Sequence, residues 1–292
     1  MIKSNDNTEV LLPKNQLELY GYEFYFHSIL DLFEKKKLPN SIIINGPKGL
    51  GKSTFVYHII NYFLSKNETE KYSIDNFTIN PNNKSYKLLN ENTHPNFFLI
   101  ENVSTDKEIK IDQIRNLLNF LNKSVYSANL KIVMIDNAEQ LNKNSSNALL
   151  KAIEEPGLNT FFFLVYNNSS KILNTIKSRC AEFKIFFTTE QKINIFKNII
   201  NLYDGESGVE SFFEYLYFDT PGNLIKYFLI LQNSEITFND NKLSCIFHLI
   251  EKFTIDKNPD TLNFLSTCIE KFYNDLSKNN INKIGNYSFN QS

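Results

Sequence analysis

Apolar residues recur at helical spacing in YEFYFHSILDLFEKKKL, from Tyr22 to Leu38, and Pro39 and Asn40 end that run. SIIIN, from Ser41, is a short β-branched run that reads as a buried strand. GPKGLGKST follows, and TFVYHIINYFL continues as a helix. The polar stretch at 65–92, rich in Asn, Lys and Ser, reads as a loop or an irregular insertion. Beyond it the pattern alternates. NFFLIE is a strand, IKIDQIRNLLNFLNKS an amphipathic helix, LKIVMID a strand, and SSNALLKAIEE a helix stopped by Pro156 and Gly157. TFFFLVYNN is a fourth strand, KILNTIKSRC a short helix and turn, and AEFKIF a fifth strand. Strands alternating with helices predict an α/β layer with a mostly parallel sheet.

Strands then stop. TTEQKINIFKNIINLY, GVESFFEYLYF and PGNLIKYFLILQ read as three helices of a small domain. NKLSCIFHLIEKFTI and PDTLNFLSTCIEKFYNDLSK read as two more in a separate terminal unit, with a linker at 233–241. The last dozen residues are polar and are expected to fray. The expected division is a P-loop nucleotide-binding domain over 1–187, a helical lid over 188–233 and a short helical collar over 241–280.

Composition narrows the class. The chain has 292 residues, room for two or three domains and a sizeable core. Its net charge of -1 gives no global field toward nucleic acid or membrane, so any DNA contact is a local patch or belongs to partners. No run of about eighteen apolar residues predicts a membrane span, and the polar start MIKSNDNTEVLLPKNQ lacks an apolar signal core. The three cysteines, Cys180, Cys245 and Cys268, suit neither a zinc pattern nor a disulfide framework, which points to a reducing, cytoplasmic setting. The basic side chains are almost all lysine, with arginine only at Arg115 and Arg179. Against that background, a position holding arginine is a candidate for needing it.

Four features carry chemistry. Residues Gly46 to Ser53, GPKGLGKS, complete the pattern G-x-x-x-x-G-K-[ST] between a predicted strand and helix. There Gly46, Gly49 and Gly51 let backbone N–H groups wrap phosphates. Lys52 reaches the β- and γ-phosphates, the Ser53 hydroxyl binds magnesium, and Thr54 follows in the same turn. Asp136 closes an apolar strand as a second magnesium-side acid would. Asn167, and less so Asn168, ends the next strand where a polar residue senses a γ-phosphate. Ser178-Arg179-Cys180 then places an arginine between a short helix and the last strand. It reads either as a surface arginine or as a finger reaching a neighbour's ATP, a task that suits a planar guanidinium.

The order P-loop, THPN, I-x-x-I-R, Asp-bearing strand, NALLKAIEEP, SRC resembles the AAA+ clamp-loader family of DNA replication, which includes subunits of bacterial DNA polymerase III and of replication factor C. The resemblance covers roughly 15–187 in motif detail. It implies an assembly with gamma/tau and delta subunits that closes a sliding clamp on primer-template DNA. The family holds motors, which hydrolyse ATP, and stators, which lend the SRC arginine in trans and do not turn ATP over. Motors carry Asp-Glu where this chain has Asp136-Asn137, and an amide cannot take a proton from water. Motors also carry a lid arginine near a glycine, where TPGNLIKY offers Asn223, and a long C-terminal extension that this sequence does not show. These departures imply a stator, with Mg2+ and ATP or ADP held but not hydrolysed. An active motor, its water placed by another residue such as Glu139, is the alternative. A P-loop kinase is a third reading, disfavoured by the scarcity of arginine around any acceptor. Many bacterial members carry zinc-binding cysteines between the P-loop helix and the second strand. Here 65–92 holds none, so no structural zinc is expected.

Overall fold

The structure is a computed structural model that describes residues 10–102, 108–123, 130–168, 171–203, 209–234 and 242–288, with the backbone alone at 209–211 and 279–288. By internal contacts the chain divides into two compact units, one holding 11–195 with Thr220–Gly222, the other 196–219 with 223–292.

The first unit is a five-stranded sheet covered by helices on both faces. Its elements run α1 (Glu23–Glu34), β1 (Ser41–Gly46), α2 (Lys52–Ser65), α3 (Lys84–Asn90), β2 (Phe97–Ile100), α4 (Ile111–Leu121), β3 (Lys131–Ile135), α5 (Lys143–Glu154), β4 (Thr160–Asn167), α6 (Asn174–Lys177), β5 (Ala181–Lys184) and the start of α7 (Thr189–Ile200). The spatial order is β2-β3-β4-β1-β5, and every pairing is parallel. A strand buried on both faces needs a continuous apolar run rather than alternation. KIVMI and TFFFLVYN supply it, and each is buried along its whole length. The core on one face joins Ile43, Val133, Ile135, Phe162 and Leu164 of the strands to Ile114 and Leu117 of α4 and Leu149 and Ile153 of α5.

Helix α2 covers the other face and is buried nearly all round. The stretch at 65–92, expected as a loop or an irregular insertion, is largely irregular apart from one short helix, and it packs apolar side chains into the core. Tyr72, Ile79 and Leu89 are buried, and Tyr72 stacks on Phe26 with ring centroids 5.2 Å apart. The segment contains helix α3, whose first turn is held by polar side chains. Asn83 Oδ1 accepts from Tyr86 N–H at 2.7 Å, and the Glu68 carboxylate accepts from the N–H groups of Lys84 (2.9 Å) and Ser85 (3.1 Å). Asn83 Nδ2 donates to Glu70 O at 2.8 Å. Tyr86, Leu88 and Leu89 in a helix of seven residues are too few to set a helical period, so the capping chemistry is the signal that could have announced it.

In the second unit the rest of α7 is followed by α8 (Val209–Leu216), α9 (Pro221–Asn233), α10 (Lys242–Asp256) and α11 (Pro259–Ser288). Phe212, Phe228 and Phe264 form its aromatic centre, and Tyr227 of α9 stacks on Phe264 of α11 at 4.5 Å. Helix α11 continues to Ser288, so most of the polar end expected to fray is helical. Most of the expected linker, 235–241, lies outside the described residues. No helix among the described residues is long and apolar enough to cross a membrane.

Candidate nucleotide-binding site

The parallel register sets the site. Gly46, the last residue of β1, pairs with Asn167, the last of β4, and β3 lies on the far side of β4. Three consecutive strands therefore end side by side, and their C-terminal residues face the P-loop as it turns into α2.

That loop is braced from several sides. Gly49 and Gly51 both adopt left-handed backbone, at φ 86° and 85°, which glycine accepts without strain. The hydroxyl of Tyr22, a buried ring stacked on Phe55 at 4.5 Å, donates to Leu50 O at 3.0 Å. The N–H of Gly222 donates to Gly49 O at 2.8 Å. A trans peptide sets its C=O and N–H on opposite sides, so these two bonds turn the N–H groups of Leu50 and Gly51 away from the braces. Tyr22 does not stand out in the sequence, and Gly222 stands out only as the landmark for a lid arginine, not as a brace of the loop.

Lys52 Nζ donates to Gly46 O (2.8 Å), Pro47 O (2.6 Å) and Asn167 Oδ1 (2.8 Å), which accounts for its three protons. Burial lowers its ammonium to about 8, against the opposing pull of Glu139 and Asp136. Ser53 Oγ donates to Asp136 Oδ1 at 2.9 Å, and Thr54 sits half-buried in the same first turn. Burial raises the Asp136 carboxyl above its ordinary range despite the bonds from Ser53 and from Asn137 N–H. Glu101, at the end of β2, is raised too, by burial and then by Asp136. Asp136, held against its charge beside the Ser53 hydroxyl, is a hard oxygen donor whose charged form a divalent cation would favour. The residues fit a magnesium–nucleotide, with Ser53 and Asp136 toward the metal and Lys52 toward phosphate.

Asn167 is the hub. Its Oδ1 accepts from Lys52, while its Nδ2 donates to Asn137 Oδ1 (2.9 Å) and Glu139 Oε1 (2.6 Å). Its backbone N–H donates to Glu139 Oε2 at 3.0 Å. Asn137 itself is left-handed, φ 55°, which no run of apolar residues foretells. Asn168 is exposed. In the second unit, Asn223 Nδ2 donates to Asp219 Oδ1 at 2.8 Å.

Arg179 is not among these groups. It lies at the surface after α6, where its Nε donates to Glu154 at the end of α5, and its Nη1 donates to Thr175 O at 2.9 Å. Arg115 is exposed on α4 and pairs with Asp112 at 2.7 Å.

Fold and sequence motif together define an α/β domain with a parallel sheet and a P-loop, followed by helices. Residues 24–188 match the model of the family described as DNA polymerase III, delta subunit, and the chain belongs to that family. It is 32% identical over 143 residues to DNA polymerase III subunit delta' of Pseudomonas aeruginosa, covering 49% of this chain and 42% of that protein. It is 31% identical over 174 residues to the same subunit of Buchnera aphidicola subsp. Schizaphis graminum, covering 59% and 51%. The chain thus spans about half the length of the curated relatives it matches. Among solved structures it is similar to the RuvB Holliday junction branch migration motor of Thermotoga maritima, at 18% identity and TM-score 0.48, covering 76% of this chain and 66% of that one.

Proposed function

We propose that this chain is a stator of the delta' kind in a DNA polymerase III clamp loader. It holds Mg2+ with ATP or ADP through Gly46, Gly49, Gly51, Lys52, Ser53, Thr54, Asp136 and Asn167, and does not turn the nucleotide over. Arg179 is its catalytic residue and acts in trans, on the ATP of a neighbouring motor subunit. The domain at 1–187 does this work. The lid at 188–233 and the collar at 241–280 complete the subunit, which assembles in the cytoplasm with gamma/tau and delta subunits and helps to load the sliding clamp on primer-template DNA.

One observation carries the reading: the two residues weighed as water-positioning groups after Asp136, Asn137 and Glu139, are both turned to Asn167, while the SRC arginine is exposed. Asn137 has no basicity and is bonded to Asn167. Glu139, which an active motor would need in its place, has both oxygens taken by the N–H groups of Asn167. The collar assignment is supported by Leu243, Phe247 and Ile250, an apolar stripe left exposed on α10, with Phe247 63% accessible. Phe264, in contrast, is core.

The test is steady-state ATPase and clamp loading by the reconstituted complex. Arg179→Ala is expected to lower turnover at the interface it faces, by on the order of 10³–10⁵ where such a finger acts. Arg179→Lys keeps charge without the planar fork and is expected to rescue poorly. Unchanged rates with Arg179→Ala would reduce it to a surface residue and restore the motor reading.

A further inference from the structure

The two most distinctive stretches of the sequence, NALLKAIEEP and SRC, meet at a single ion pair. Glu154 is the last residue of α5, and Arg179 follows the last turn of α6. Arg179 Nε donates to Glu154 Oε1. Its Nη1 donates to Thr175 O at 2.9 Å and to the Ser178 hydroxyl at 3.3 Å, and that hydroxyl in turn donates to Thr175 O at 3.2 Å. The backbone beneath is a tight turn, with Arg179 N–H on Ile176 O at 3.1 Å. Nε and Nη1 are thus engaged within the chain. Nη2 makes no bond among the described residues.

An exposed ion pair of this kind contributes little to stability, because water screens both partners; these two side chains are 36% and 44% accessible. What the pair does fix is direction. A guanidinium is planar, so anchoring Nε and Nη1 sets the plane and the heading of Nη2 together. A freely rotating arginine would have to lose that rotamer freedom each time it engaged an anion.

We propose that Glu154 is a positioning residue for Arg179: it holds the guanidinium so that Nη2 is presented outward, ready for a phosphate oxygen of a nucleotide bound by the neighbouring subunit. This rests on the reading of Arg179 as acting in trans. Glu154 touches neither nucleotide nor metal. It acts only through the arginine, and it explains why the helix ending in Glu154 and the SRC turn occur together in the chain.

The experiment uses the complex reconstituted with its motor subunit and compares Glu154→Ala, Glu154→Gln, Arg179→Ala and the double variant Glu154→Ala/Arg179→Ala. Glu154→Ala is expected to lower kcat for ATP by about ten- to a hundredfold, the scale of a misplaced catalytic group. The KM for ATP and the thermal midpoint of the isolated chain should hold. Glu154→Gln keeps an acceptor oxygen and should fall between Glu154→Ala and wild type. The double variant should be no slower than Arg179→Ala alone, because both changes act on one group. Additive losses in the double variant, or an unchanged kcat with Glu154→Ala beside a low one with Arg179→Ala, would overturn the positioning role and leave the trans arginine standing. A flat result for Arg179→Ala would remove both.

Discussion

The side-chain amide of Asn167 donates to the amide oxygen of Asn137 at 2.9 Å, so the residue beside Asp136 is turned to the adjacent strand end rather than left open. Its left-handed backbone makes this possible, and Asn is among the few residues with a side chain that take up φ 55° readily. Asn137→Glu is therefore expected to leave ATP turnover at background. It strains the backbone by roughly 1–2 kcal/mol and sets a second carboxylate near Glu139. Asn137→Gly, which keeps the backbone and removes the acceptor, should be milder for stability. Turnover by the isolated Asn137→Glu chain well above wild type would show that the missing carboxylate alone silences the site.

If Lys52 holds phosphate as proposed, it links nucleotide affinity to pH. Its ammonium, lowered to about 8 by burial, loses its proton above that value in the nucleotide-free chain. Binding a phosphate then requires proton uptake, so affinity is expected to fall as pH rises through 8, by up to about tenfold per unit. The stability of the nucleotide-free fold moves the other way. Between about 8 and the ordinary 10.5 the unfolded chain holds a proton that the folded chain has released, so stability rises with pH across that window. Equilibrium binding of a fluorescent ADP analogue at pH 7 and 9.5, with Lys52→Ala as reference, checks the first claim. A wild-type affinity that is flat across that range, or equal to the variant's, would contradict it.

His58 makes the fold acid-sensitive. It is fully buried on α2, with Nε2 3.0 Å from Gln16 O and Nδ1 3.0 Å from Tyr72 Oη. A carbonyl only accepts, so Nε2 carries the proton and Nδ1 takes the tyrosine's. Burial lowers the imidazole to about 4 from 6.5. Stability from this group is whole above pH 6.5 and is lost as pH falls toward 4, where the unfolded chain takes up a proton the core refuses. The loss is at most about 3 kcal/mol. Thermal midpoints from pH 7 to 4.5 should drop more steeply for wild type than for His58→Gln. Parallel slopes would exclude His58 as the cause.

The insertion at 65–92 should owe its order to Asn83 rather than to a metal. Asn83→Ala removes a buried helix cap and is expected to cost about 1–2 kcal/mol in urea unfolding. A chelator should leave the wild-type transition where it was. A midpoint that shifts with chelator, or an Asn83→Ala chain as stable as wild type, would each count against this account.

Much of the first unit was legible because its signals are local. A β-branched or aromatic run bounded by turn residues announces a strand, and GPKGLGKS announces a loop by its own glycines. The same reasoning put Asp136 and Asn167 at strand ends. What brings them to Ser53 and Lys52 is the spatial order of strands, which no single stretch encodes. The rest depended on partners distant in the chain. Glu139 gains its place from the two N–H groups of Asn167, and Tyr22 from the carbonyl of Leu50. Helix α3 is written in caps supplied by Glu68 and Asn83 to a segment whose composition reads as a loop.

Gly222 and Gly49 meet backbone to backbone, and position 222 has room for hydrogen alone. A methyl group there would stand 2.7 Å from Gly49 O and 3.1 Å from its Cα, closer than carbon atoms approach such neighbours. The atoms in the way are main chain and cannot rotate aside. Two residues far apart in sequence are therefore bound to a common fate. In any lineage descended from this chain, a side chain can arise at 222 only where the phosphate loop has already moved. The shape of the loop is therefore held in part by a glycine that lies outside the loop's own motif.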